Sequence, residues 1–222
     1  MNFNTIKEIV IPEGTVSEIR DSLNNLMWKK SLLPSIYQQV EYVEATGSQY
    51  TEIDYYANSN SSSKGKFQIT NTSVASMLFG ARTNSAQNFY GFNWGGGTPY
   101  KYYNSYYTGA VTTTLIDDEV HTFEKKLKQL YIDDVLLSTH TYNSAWKCSL
   151  KTIVFGCNTN GTIALFSHAR IFELQFFEGE ELVIDLIPCY RKSDGEIGFY
   201  DTVNKKFYTN KGSGTFLKGN NI

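Results

Sequence analysis

The sequence has no long apolar run, and this absence is the first constraint on its class. Its longest hydrophobic stretches are only a few residues long, whereas a membrane-spanning helix needs about 20. The opening residues, MNFNTIKEIV, lack the basic-then-apolar order of a secretory signal peptide, and no targeting tail is recognisable. We therefore expect a soluble chain without a leader and without a membrane partner.

Cysteine is scarce as well. The three cysteines, Cys148, Cys157 and Cys189, are too few and too irregularly placed for the disulfide framework of a small secreted domain. They also lack the paired CxxC spacing of a zinc site. We expect buried thiols, made in a reducing compartment.

No excess of one charge is present. The chain has 20 Lys and Arg against 22 Asp and Glu, a net charge of −2, and its basic residues are scattered. Nucleic acids and anionic membranes attract clustered basic residues, so the composition argues against both as main partners.

Proline and helix-period patterns are also rare, whereas aromatic residues are abundant. The chain has 4 Pro but 16 Tyr and 14 Phe, with many Thr, Ser, Asn and Gly, a composition typical of strands joined by turns. The best helical candidate, residues 17–30, is interrupted by Asn24-Asn25, which indicates a turn. A chain of 222 residues, 41% hydrophobic, therefore predicts one all-β, antiparallel two-sheet domain with a small appendage.

Turn signals divide the chain into three parts. Residues 1–31 predict three short strands, a module too small to be stable without neighbours, and residues 32–36 form a proline-containing linker. Residues 37–222 predict strand after strand at short spacing. We expect strands at 37–45, 49–56, 66–70, 76–80, 130–132, 153–158, 163–177 and 182–187, with a polar loop at 58–64.

Residues 187–217 have the densest turn signals. Ser193-Asp194-Gly195 and residues 201–204 predict turns around a short strand at 197–200. A further strand at 206–209 ends in Asn210-Lys211-Gly212-Ser213-Gly214, where glycines supply the conformations of a tight loop.

Three segments together resemble one domain family. They are His121-Thr122-Phe123, the strand and two-residue turn Leu130-Tyr131-Ile132-Asp133-Asp134, and residues 153–158, IVFGCN. In this order they resemble the concanavalin A-like and laminin-G-like domains, which implies a jelly roll. The family usually has glycine where Asp134 stands, and aspartate tolerates the left-handed conformation. The resemblance implies a structural role for His121.

A narrower resemblance covers nearly the whole chain. Residues 40–50 (VEYVEATGSQY), 78–82 (LFGAR), 169–172 (ARIF) and 187–217 are similar to laminin-G-like domains of tail, fibre and other virion proteins of bacteriophages and prophages. Residues 9–14 (IVIPEG), with Met27-Trp28-Lys29, resemble the short module that precedes such domains. The resemblance implies a virion protein made in the host cytoplasm, attached to other virion proteins through residues 1–31. It also implies a homo-oligomer, and fibres of this type are often trimers.

The aromatic tract at residues 89–107, FYGFNWGGGTPYKYYNSYY, is the first candidate site. Aromatic faces can stack on sugar rings, while amide and phenol groups bind hydroxyls. Around the glycine loop we select Trp94, Tyr100, Tyr103 and Asn104 as exposed glycan-binding candidates. The alternative is that the aromatic residues line the core or pack against a neighbouring subunit.

The carboxylate residues give little support for catalysis or metal binding. Glu52-Ile53-Asp54 resembles the start of a glycoside hydrolase strand but lacks the third carboxylate. Asp117 and Asp118 are weak calcium candidates, because aspartate is common in turns. The sequence has no G-x-S-x-G elbow and no phosphate-binding glycine motif.

We therefore expect a non-enzymatic virion protein that needs no cofactor. Its expected role is adhesion to a host-surface or mucosal polysaccharide from a tail, baseplate or head fibre. The alternative is a purely architectural protein that decorates or cements the particle and binds only other virion proteins.

Overall fold

The computed structural model of the protein describes residues 18–20, 26–29, 32–83, 88–95, 98–107, 118–126, 128–139 and 145–222. The chain forms two units, Met1–Pro34 and Ser35–Ile222. In the first unit Glu18–Arg20 and Leu26–Lys29 pair as antiparallel strands. Every regular element among the described residues is a strand, which confirms the all-β prediction.

The strands follow one another at short intervals, as the turn signals predict. In chain order they are β1 (Glu18–Arg20), β2 (Leu26–Lys29), β3 (Tyr37–Gln39), β4 (Val43–Thr46), β5 (Thr51–Glu52), β6 (Ser61–Ile69), β7 (Ser76–Arg82), β8 (Phe89–Gly95), β9 (Thr98–Tyr107), β10 (Val120–Lys126), β11 (Gln129–Ile132), β12 (Val135–Thr139), β13 (Ile153–Val154), β14 (Cys157–Thr159), β15 (Thr162–Ala164), β16 (His168–Glu178), β17 (Glu181–Arg191), β18 (Ile197–Asp201), β19 (Lys206–Thr209) and β20 (Leu217–Lys218).

The Ser35–Ile222 unit contains two sheets. The larger, of 11 described strands, has the order β12-β11-β10-β6-β16-β17-β18-β19, with β3, β4 and β20 beside it. The smaller, of 7 described strands, has the order β15-β14-β7-β13-β5, with β8 and β9 on the other side of β7. All described pairs are antiparallel except β14 with β7, which is parallel and departs from the purely antiparallel prediction.

Aromatic side chains from both sheets meet in one core. Phe123 and Phe176 of the large sheet contact Phe79 of the small sheet, with ring centroids 5.7 and 5.2 Å away. Phe92 of the small sheet stacks on Phe123 at 5.2 Å and meets Phe67 edge-on at 5.4 Å. All five rings are buried. The result is a sandwich-like all-β fold, held together by the apolar area removed from water.

Two predicted strands are each divided in the structure. Phe155, with φ of 65°, ends β13, and the chain then returns as β14 along the same edge of β7. Leu165, with φ of 56°, likewise separates β15 from β16. The predicted continuous strands at 153–158 and 163–177 are therefore wrong, because the backbone turns at non-glycine residues.

Other strand predictions need smaller corrections. The strand predicted at 37–45 is interrupted between β3 and β4, and that predicted at 49–56 is regular only over Thr51–Glu52. The polar loop predicted at 58–64 is wrong in its second half, because β6 begins at Ser61. Ser61, Ser62 and Ser63 at the start of β6 are polar but buried.

The turn-rich closing segment, residues 187–217, folds as predicted, and the residues after it pair with residues near the start of the domain. Strands β18 and β19 form where the turns place them, and Gly195 and Gly214 have the positive φ angles of tight turns. Beyond β20, the backbone N–H of Gly219 donates to Tyr42, and that of Ile222 donates to Gln39. The last residues of the chain therefore lie antiparallel to residues 39–42, near the start of this domain.

The Asp133-Asp134 turn is confirmed. Both residues have positive φ, 49° and 63°, as a two-residue hairpin of this type requires. His121 Nδ1 lies 2.7 Å from the Asp133 carboxylate, which also accepts a hydrogen bond from the Thr122 N–H at 2.8 Å. Partial burial works to raise the pKa of Asp133, but these hydrogen bonds outweigh it and hold the pKa below its usual value. This contact ties β10 to the hairpin.

Candidate functional site

The first half of the aromatic tract belongs to the core. Phe89, Tyr90 and Phe92 of β8 are buried, as the alternative interpretation of the tract expects. Trp94 is only 2% exposed, and its indole N–H lies 3.3 Å from the backbone oxygen of Asn71. The prediction that Trp94 is exposed is therefore wrong. The reason is that Trp94 continues the inward-facing alternation of β8 and does not turn outward before the glycine loop.

The other three glycan candidates lie on β9, which pairs with β8. Asn104 is opposite Tyr90 and Tyr103 is opposite Gly91 in the backbone register, while Tyr100 lies nearer the start of the strand. The side chains of these three residues lie outside the described part of the structure. Their role in glycan binding stays a prediction.

The structure instead has a groove on the outer face of the large sheet. The groove has a volume of about 310 Å³, within the range of known ligand sites. Strands β10, β6 and β16 lie side by side beneath it, because β6 pairs with both of its neighbours. Its lining residues are Lys64, Gly65, Lys66, Thr122, Phe123, Glu124, Tyr131, Asp134, Glu173 and Gln175.

The charged residues of this groove alternate in sign across the strands. In one row Glu124 of β10 is opposite Lys64 of β6, which is opposite Gln175 of β16. In the next row Lys66 of β6 is opposite Glu173 of β16. Residues directly opposite on one face have Cβ atoms about 5 Å apart, close enough for their side chains to interact. The register therefore places two lysines between two glutamates.

These four side chains nevertheless do not pair with each other. Within the described residues, Lys64, Lys66, Glu124 and Glu173 form no ion pair within 4.0 Å. The Lys64 ammonium instead lies 5.5 Å from the ring centroid of Phe177, and that of Lys66 lies 5.6 Å from Phe172. All four are exposed, so their charged groups are available to a molecule in the groove.

Uncharged polar groups complete the lining. Thr122 contributes a hydroxyl and Gln175 an amide, the latter donating to Asp185 at 2.8 Å. Tyr131 contributes a half-buried ring whose hydroxyl donates to Gln129 at 3.0 Å. A groove with this lining can donate and accept many hydrogen bonds beside one aromatic surface, as a hydroxylated ligand requires.

A second polar cluster lies in the interior, where β6 begins and β16 ends. Lys125 is fully buried, and its side-chain nitrogen Nζ donates to the Ser61 backbone oxygen at 3.0 Å. The nitrogen also lies 5.4 Å from the ring centroid of Tyr90. The Ser61 hydroxyl and the Asn58 amide donate to Glu178 at 3.2 and 2.7 Å. Burial lowers the pKa of Lys125 well below that of a free lysine.

Glu52 and Asp54 are engaged in surface ion pairs. Lys151 lies 2.7 Å from Asp54 and 3.5 Å from Glu52, and Lys206 also pairs with Asp54. Hydrogen bonds from Lys151 and Lys206 lower the pKa of Asp54 to about 2. A general acid needs a raised pKa, so this carboxyl group is suited to binding its lysines and not to proton transfer.

Replacing Asp54 with asparagine is expected to change the acid stability of the domain. The ion pairs of Asp54 stabilise the fold fully above about pH 4 and are lost as the pH falls towards 2, because the carboxylate must then be protonated. The advantage of wild type over Asp54→Asn should shrink over this window. Its size should be below about 1 kcal/mol, since the carboxylate is 41% exposed.

Denaturant unfolding between about pH 6 and pH 2 measures this difference. Glu181→Gln is the matched control, because Glu181 is exposed and has no ion pair among the described residues. A difference for Asp54→Asn that stays constant with pH would contradict the ion-pair assignment.

The calcium candidates find no support in the described residues. Asp118 is exposed with φ of 63°, a turn conformation, and Asp117 lies outside the described residues. Within the described part of the chain, no group of three His, Cys, Asp or Glu residues is placed to hold a metal ion. The three cysteines are free and buried.

A scan of the chain against protein-family models gives no match, and a search of curated protein sequences gives none either. Within the described residues, no helix has the length and apolar character needed to cross a membrane. Any proposal for the function therefore depends on the groove and on the sequence resemblance.

Proposed function

We propose that the Ser35–Ile222 unit is a carbohydrate-binding jelly roll of a bacteriophage or prophage virion protein, without catalytic activity. The observation that supports this proposal is the groove on the outer face of the large sheet. Its polar groups are exposed and are not consumed by ion pairs with each other. The sequence resemblance to laminin-G-like virion proteins supports the virion setting.

The virion setting suits a site of this kind. The groove is open and its volume of about 310 Å³ holds only a few sugar rings, so a single copy should bind weakly. Many copies on one particle increase the overall affinity by orders of magnitude when they bind one polymer together. The proposal includes a homo-oligomer, of which a trimer is the expected form, attached to other virion proteins through residues 1–31.

Binding of the full chain to a panel of host capsular and surface polysaccharides tests this proposal. Tyr131→Ala should weaken binding about tenfold, because it removes the aromatic surface of the groove. Tyr56→Ala is the matched control, since Tyr56 is 42% exposed and does not line the groove. If the wild-type chain retains no polysaccharide of the panel, the proposal is overturned.

A purely architectural virion protein is the second candidate, and one observation favours it. Strand β12 is the last in the described order of the large sheet, and it exposes Val135 (58%) and Leu136 (47%). Apolar strands at the edge of a sheet readily pair with another chain. A map of the assembled particle distinguishes the candidates: the architectural role requires the groove to be covered by protein.

A further inference from the structure

We infer that the groove selects a zwitterionic polysaccharide, one that has free amino groups and carboxylate groups along the same chain. This inference rests on the proposed carbohydrate-binding function and names the ligand class. It is supported by the arrangement and the contacts of four residues, Lys64, Lys66, Glu124 and Glu173.

The arrangement places both signs of charge within reach of one short segment of polymer. The two lysines lie on the central strand β6, with Glu124 on β10 at one side and Glu173 on β16 at the other. Each glutamate is directly opposite a different lysine. Neighbouring strands are about 4.8 Å apart, so a polymer crossing β10, β6 and β16 along either row meets one carboxylate next to one ammonium group within roughly one disaccharide.

The lack of pairing in the groove contrasts with the rest of the surface. Elsewhere on this domain opposite charges in reach do pair: Arg170 with Glu44, and Arg191 with Asp194, both at 2.7 Å. Lys64 and Lys66 lie over phenylalanine rings of β16, which leaves their ammonium groups accessible. The groove thus keeps both its cationic and its anionic groups available.

Polymers with charge of one sign fit this groove poorly. Asp134 adds a third carboxylate to the lining, so a polyanion meets three like charges and a polycation meets two. Each such contact between like charges is repulsive, and more strongly so near a protein surface than in bulk water. A neutral polymer can hydrogen-bond to the groove but gains nothing from its charges. A chain with alternating amine and carboxylate gains from both.

Four polymers with one backbone provide the test. They are hyaluronan, which is anionic; de-N-acetylated hyaluronan, which is zwitterionic; its carboxyl-reduced form, which is cationic; and carboxyl-reduced hyaluronan, which is neutral. At low ionic strength we expect the full chain to bind the zwitterionic polymer about tenfold more tightly than each of the others. This preference corresponds to about 1.4 kcal/mol and should weaken as salt is added.

Two isosteric double variants separate the contributions of the two charges. Lys64→Gln with Lys66→Gln should bind the cationic polymer at least as tightly as the zwitterionic one, because the three carboxylates that remain repel the carboxylate of the polymer. Glu124→Gln with Glu173→Gln should bring the affinities for the zwitterionic and anionic polymers closer together, because only Asp134 then remains to bind the amine. Lys147→Gln with Glu181→Gln is the control, since these exposed residues do not line the groove and should leave the preference unchanged.

If the chain binds the polysaccharide panel but shows no preference for the zwitterionic polymer, the inference is overturned and the proposed function stands. If it binds neither the panel nor these polymers, both are overturned. Displacement of the zwitterionic polymer by a Lys–Glu copolypeptide as effectively as by free polymer would overturn the glycan assignment, because it would show recognition of charge pattern alone.

Discussion

Replacing Phe79 with alanine is expected to lower the free energy of unfolding by about 3–5 kcal/mol, the usual cost of truncating a buried phenylalanine. Phe79 of the small sheet is fully buried and contacts Phe123 and Phe176 of the large sheet. Truncation removes these contacts and leaves a cavity between the sheets. Because typical domains are stable by about 5–15 kcal/mol, this variant should lose a large part of its stability.

Urea or guanidinium unfolding measures the effect of Phe79→Ala. Leu217→Ala is the control, since Leu217 is 50% exposed and its truncation should change the stability by less than about 0.5 kcal/mol. A loss below about 1 kcal/mol for Phe79→Ala would contradict the packing of the two sheets against each other.

Replacing Lys125 with methionine is expected to change how the stability of the domain varies with pH. Burial lowers the pKa of Lys125, so between its folded-state pKa and about 10.4 the unfolded chain binds a proton that the folded domain does not. The stability of wild type relative to Lys125→Met should therefore rise with pH across that window. The slope for one proton is about 1.4 kcal/mol per pH unit.

The comparison with Lys125→Met isolates the lysine from other titrating groups. Burial raises the pKa of Cys157 to about 11 and that of Cys189 to about 12, and both thiols are present in wild type and variant alike. Lys126→Met is the control, because Lys126 lies next along β10 but is exposed. The measurement is denaturant unfolding from about pH 7 to pH 10. If the difference between wild type and Lys125→Met is independent of pH, Lys125 keeps its charge in the folded domain.

The parts of the fold that the sequence predicts best are those with strong local turn chemistry. The Asp133-Asp134 hairpin and the β18 and β19 strands of the closing segment form where expected, because aspartate, asparagine and glycine favour turns irrespective of their tertiary contacts. The aromatic and β-branched composition likewise predicts the all-β class.

The parts that the sequence predicts poorly depend on tertiary contacts. Phe155 and Leu165 adopt positive φ although neither residue favours it, and the Phe155 backbone N–H bonds to Leu78 at 2.7 Å. Lys125 lies among polar and charged neighbours in the sequence, so only the alternation of β10 indicates that it points inward. Trp94 likewise points inward because it continues the alternation of β8. The glycines that follow it in the sequence suggest a loop, and for that reason the sequence predicts an exposed side chain.

The groove illustrates a further limit of sequence reasoning. Lys64, Glu124 and Glu173 are far apart in the chain, and each is an ordinary outward-facing residue of its own strand. Their meeting depends on the strand order β10-β6-β16, which local patterns do not determine. The available signal is the alternation Lys64-Gly65-Lys66 and Thr122-Phe123-Glu124, which predicts that these polar residues share a face once the strands are known to be neighbours.

The antiparallel pairing of residues 219–222 with residues 39–42 has a consequence for how this domain can be built into larger proteins. The backbone of Ile222 is hydrogen-bonded to that of Gln39, so residue 222 lies about one strand spacing, roughly 5 Å, from a residue near the start of this unit. Such a domain can be inserted into a surface loop of another protein without forcing the ends of that loop apart. It is therefore suited to use as a modular insertion.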